Sequence, residues 1–160
     1  MTAYFADRAL SGVIPESIFD GGDQTVTAVF TLTAALANTD TVTFMTIPNG
    51  AYIDDLTVTS SIIDSGVGNA FRFSLGDSNA AGRYMTAVAQ PNNTTGLVGT
   101  KINVFPTSSP GGLTYGYLIG TNTGDGTIIL TVTAGPTTGN TSGVIVLTAS
   151  YSFAARTATS

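Results

Sequence analysis

The chain has 160 residues and a mass of 16.2 kDa, with five basic and ten acidic side chains, no cysteine, no histidine and no tryptophan. That length fits one domain able to bury about two-thirds of its unfolded surface. The missing residue types exclude disulfides, thiolate nucleophiles, zinc knuckles, iron–sulfur clusters and every acid, base or metal ligand made from imidazole.

Only 9% of residues are charged while 42% are hydrophobic, so the surface is largely hydroxyl and amide, with weak electrostatic protection against self-association. The basic residues Arg8, Arg72, Arg83, Lys101 and Arg156 are scattered, so no cationic patch is expected to bind nucleic acid directly. The start lacks a basic stretch followed by an apolar run, and runs such as Thr127 to Val132 are too short to cross a bilayer as a helix. The expectation is a soluble protein without a signal peptide or a membrane partner.

Residues 1–22 mix Tyr4, Phe5, Ile14 and Phe19 with Ser11, Gly12, Pro15 and Gly21-Gly22 and hold no sustained period. They read as an extended N-terminal arm. From Gln24 the text alternates: Val26, Ala28, Phe30 and Leu32 face one way and Thr25, Thr27 and Thr31 the other, the period of a half-buried strand. Thr41 to Ile47 repeats the pattern and stops at Pro48-Asn49-Gly50, because proline lacks a ladder donor and Asn-Gly takes positive φ readily. A third strand runs from Tyr52 to Thr59, and a fourth, through Phe71, Phe73 and Leu75, ends at Gly76-Asp77-Ser78.

The stretch from Asn79 to Pro110 is less regular, with short candidates at Arg83 to Ala89 and Lys101 to Phe105 around a Pro91-Asn92-Asn93 loop. Leu113, Tyr115, Tyr117 and Ile119, a Gly124-Asp125-Gly126 turn, and Ile128, Leu130 and Val132 together predict a hairpin. Gly143 to Phe153 is the longest strand candidate, and 154–160 reads as a tail. Some eight strands, no helical period and abundant Thr and Val predict an all-β domain over 23–153, a β-sandwich of jelly-roll type.

Asp54, Asp55 and Asp64 form the densest acidic cluster, but adjacent strand residues point to opposite faces and calcium needs several further oxygens. A solvated surface is the favoured reading of all three. Gly120 to Gly126 is rich in oxygen ligands, yet a single turn uses Asn, Asp and Gly for backbone reasons alone. No Ser-x-x-Lys or Gly-x-Ser-x-Gly spacing offers an activated nucleophile. The reading is therefore a protein that is not an enzyme, with no catalytic, metal or cofactor residues.

One stretch carries a family resemblance. Ile47-Pro48-Asn49-Gly50-Ala51-Tyr52-Ile53, then Ile63-Asp64-Ser65-Gly66, then Phe71 to Leu75 closing in Gly76-Asp77 resembles small virion proteins of tailed bacteriophages. The likeness covers about a fifth of the chain. It implies a head decoration, or cement, protein: a virion structural protein made in the host cytoplasm, carried on the capsid surface as an oligomer, expected to be a trimer, and bracing the major capsid protein lattice. It also implies that the shell is met by loops at one end of the sandwich and by the arm, through Tyr4, Phe5, Arg8, Ile14 and Phe19. The alternative is a phage tail-fibre or receptor-binding tip recognising a host surface or glycan, which shares the Thr- and Gly-rich β text; the absence of Trp counts against a sugar site.

Overall fold

A computed structural model describes residues 1–7, 9, 24–68, 70–89, 98–100, 117–119 and 126–153. Among the described residues, ten strands form two sheets. They are β1 (Ala3–Phe5), β2 (Gln24–Leu32), β3 (Thr41–Thr46), β4 (Tyr52–Ser60), β5 (Arg72–Gly76), β6 (Met85–Ala89), β7 (Val98–Thr100), β8 (Tyr117–Leu118), β9 (Thr127–Ala134) and β10 (Gly143–Ser152). The first sheet runs β1-β3-β9-β5-β6; the second runs β2-β10-β4-β7, with β8 also on β4.

With β1 and β8 set aside, the orders β2-β10-β4-β7 and β3-β9-β5-β6 are those of a jelly roll, eight strands in two Greek keys. The all-β sandwich expected from the alternation is therefore present, and the strand order, illegible in the text, completes the description. Apart from β5 and β6, consecutive jelly-roll strands lie in opposite sheets. Residues 113–116 and 120–125 of the hairpin predicted around Gly124-Asp125-Gly126 lie outside the described residues, and among the described ones its two arms do not pair: β8 pairs with β4, whereas β9 pairs with β3 and β5. Alternation alone marks a strand and its buried face but not its neighbour.

The core sits between the sheets. Val26, Ala28, Phe30 and Leu32 of β2 face inward with Ile145, Leu147, Ala149 and Tyr151 of β10 and Ile53, Leu56 and Val58 of β4. They meet Val42 and Phe44 of β3, Ile128, Leu130 and Val132 of β9, and Phe73 and Leu75 of β5. Each buried aliphatic or aromatic side chain contributes about 1.5–3 kcal/mol.

Strict alternation along β4 would turn Asp54 inward with Leu56. A bulge prevents this: Ser150 pairs with Asp55 and Tyr151 with Ile53, so Asp54 drops out of register and Ile53 and Leu56 both reach the core. On the outer face, hydroxyls pair across strands, Thr25 with Ser150 at 3.1 Å and Thr27 with Thr148 at 2.9 Å. These exposed pairs help fix the β2–β10 register that buries Phe30 and Leu147.

Candidate functional site

The residues carrying the phage-protein resemblance form turn locks. At the first, Gly50 has φ +83°; its N–H donates to the Ile119 carbonyl at 3.1 Å, and the Ile119 N–H returns a bond to Ala51 at 2.8 Å. At the third, a Cβ on Gly76 would lie 2.0 Å from the Ala80 carbonyl oxygen, so only glycine lets the chain double back there. Asp77 follows, fully buried at its side chain, accepting the Asn79 and Ala80 N–H groups and pairing with Arg83.

Asp64 of the second phrase is the most heavily bonded carboxylate. Its Oδ1 accepts the N–H groups of Gly66 at 2.9 Å and Thr138 at 3.0 Å. Its Oδ2 accepts those of Ala70 at 2.8 Å, Thr137 at 3.0 Å and Phe71 at 3.2 Å. Burial opposes the charge, and the N–H groups of Thr138, Thr137, Gly66 and Ala70 more than offset it, holding the carboxyl at about 2 against an ordinary 3.8. The solvated-surface reading is thus wrong for Asp64, which is 7% exposed. Its signal in the sequence is Asp-Ser-Gly, the pattern of a side chain bonding a backbone N–H two residues on.

The lock on Asp64 organises one end of the sandwich. Leu32 pairs with Gly143, Ser60 with Ile145 and Arg72 with Ala134, so segments 33–40, 61–71 and 135–142 gather at the same end. Asn140 ties two of them through Nδ2 to the Ile62 carbonyl at 3.1 Å, and Ser65 through its N–H to Thr138 at 3.0 Å. The third packs close enough that a Cβ on Gly139 would lie 2.6 Å from that of Ala35. Asp40, also buried, accepts the N–H groups of Thr2 at 2.6 Å and Ala37 at 2.9 Å.

The only charged side chains in these three segments are Asp40 and Asp64, both turned to backbone donors. What faces outward is Thr33, Ala34, Ala35, Asn38, Thr39 and, at the tip of the 61–71 segment, Val67, which is 100% exposed. A pinned, uncharged surface with an apolar tip loses little entropy and desolvates no charge when covered, which suits a contact with another protein. Among the described residues, no three His, Cys, Asp or Glu side chains group to hold a metal ion.

Of the residues expected to meet a shell, Tyr4 and Phe5 lie on β1, which pairs in parallel with β3. The Tyr4 ring packs on Phe30 with centroids 5.5 Å apart, while Phe5 is 51% exposed. Arg8, Ile14 and Phe19 lie outside the described residues. The sequence reading expected loops at one end of the sandwich to touch the shell but could not say which, because these segments come together only through strand order.

Neither a protein-family model nor a curated protein matches the sequence. Two solved structures share the fold. Against a chain from the capsid of Ralstonia phage GP4 the TM-score is 0.70 at 16% identity, covering 96% of this chain and 99% of that one. Against a chain from the cyanophage Pam1 capsid asymmetric unit the TM-score is 0.66 at 19% identity, covering 89% and 92%. Both likenesses extend over nearly the whole length of each partner, so this jelly roll is similar to complete chains rather than to fragments of larger ones.

Proposed function

We propose that the chain is a phage virion structural protein that decorates a capsid, binding the major capsid protein lattice as an oligomer, a trimer, and stabilising it. The observation that carries this reading is the end-to-end similarity to a chain of the GP4 capsid. The surface chemistry supports it: an uncharged loop end with Val67 at its tip suits a flat protein lattice. Phe5 and the arm residues Arg8, Ile14 and Phe19 supply further shell contacts. Such a role uses no catalysis, cofactor or direct nucleic-acid contact, because many modest interfaces repeated over a lattice provide the holding energy. The protein acts on the capsid surface after synthesis in the host cytoplasm.

The test is mechanical. Heads lacking the protein are heated with and without the purified chain, whose mass is measured by light scattering. A trimer that raises the temperature at which heads release DNA supports the reading. A chain that leaves that temperature unchanged at saturating concentration sinks it.

A further inference from the structure

The first residues close one flank of the sandwich. The Thr2 N–H donates to Asp40 at 2.6 Å, Ala3–Phe5 pairs along the β3 edge, and Tyr4 lies on Phe30 of the other sheet. Ala6 is buried and donates its N–H to Thr43 at 2.9 Å. Asp7 then crosses to the outer edge of β2, where its Oδ1 accepts the Val29 N–H at 2.8 Å. Six consecutive residues, a short strand that turns helical at Asp7, thus bridge an edge of each sheet, and the acceptor recognises them by backbone bonds, a ring contact and a small buried side chain. Every one of these contacts is local to residues 2–7, so the acceptor distinguishes the peptide and not the chain that carries it.

Chain length leaves a second copy within reach. Asp7 docks at Val29, five residues from Gln24, a path of about 17 Å along a strand. The chain is helical at Asp7 and Ala9; sixteen residues, the number from 8 to 23, could span at most about 55 Å, well beyond what the in-chain path requires and enough to reach a neighbouring subunit. An uncharged edge strand such as β2, Gln-Thr-Val-Thr-Ala-Val-Phe-Thr-Leu, also needs a cover, since it would otherwise invite uncontrolled pairing.

We propose that this flank is a strand-acceptor site filled by the Thr2–Asp7 segment of a second copy of the chain, so that neighbouring subunits of the oligomer exchange their N-terminal strands. The exchange rests on the oligomer of the proposed function. It costs little, because the same contacts are made in either arrangement, and each exchanged segment ties one subunit to the next.

The cysteine-free chain gives a clean test. Phe5 and Thr43 are register partners; tagged F5C and untagged T43C are refolded together and treated with a short thiol-to-thiol cross-linker, with light scattering on the same sample. Exchange predicts a covalent tagged–untagged pair in about half of the chains, the statistical share for an equal mixture of interchanging subunits, and interchain ladders from the F5C/T43C double variant. An oligomer whose double variant closes only within each chain, with no mixed pair, overturns the exchange and leaves the proposed function standing. A monomer that closes only within the chain, in solution and on heads, overturns both. Ala3→Cys with Thr41→Cys, also register partners, repeats the measurement should either first variant fold poorly.

Discussion

A protein with ten carboxylates in 160 residues can use few of them for solubility alone, and here several collect backbone N–H groups. Asp64 accepts five such bonds, three from its own segment 61–71 and two that join it to 135–142. Replacing it with Ala leaves several enclosed donors unpaired and is expected to cost about 3 kcal/mol in urea unfolding. The pH dependence has a definite sign. With the folded carboxyl at about 2 against an ordinary 3.8, its stabilisation is complete above about pH 4 and is lost as pH falls towards 2. After allowance for solvent screening near the surface, that loss is about 1–2 kcal/mol. Urea midpoints of the wild type and Asp64→Asn should therefore converge between pH 5 and pH 2; a gap that stays constant would show that the charge contributes nothing.

At the scale of elements, the text made the faces of the long strands legible and left their partners open. The alternation of β2 and β10 marks Phe30 and Leu147 as core and Thr27 and Thr148 as surface, because each strand has one buried face. Leu147→Ala should accordingly cost about 3 kcal/mol and Val146→Ala, on the outer face, under about 1. Similar losses at the two positions, read from thermal melts, would contradict the register. Partners were hidden for a physical reason: a jelly roll sends most consecutive strands to opposite sheets, and the pairing energy that decides this lies in long-range contacts. Short β1 and β7 were hidden because three residues carry no period, whereas β8 lies within the strand expected through Tyr115, Tyr117 and Ile119. Turn chemistry was legible in part. Gly76 was visible as a stop, yet its close approach to Ala80 was not; Gly76→Ala should cost about 2–3 kcal/mol, while Gly50→Ala, with open space around the added methyl, meets only the backbone penalty of about 1 kcal/mol.

For the whole molecule, the decisive property is that three tied segments and the sandwich edge leave an uncharged end available to a partner. None of its residues is conspicuous alone: Val67 sits between glycines in the sequence, and the segments approach one another only in the folded jelly roll. Placing a charge there should separate binding from folding. Val67→Glu, at a side chain with no neighbour to lose, is expected to change stability by under about 0.5 kcal/mol while weakening attachment to a lattice about tenfold or more, since a buried unpaired carboxylate costs more than 1.4 kcal/mol. The central claim meets its most direct test in co-sedimentation of the purified wild-type chain with undecorated phage heads across a range of salt. The account predicts saturable pelleting that changes little with ionic strength, because the loop end carries no exposed charge and Arg8 is the one charged residue among the arm contacts. A chain that stays in the supernatant with intact heads at every salt concentration, or adheres to host cells instead, would contradict it.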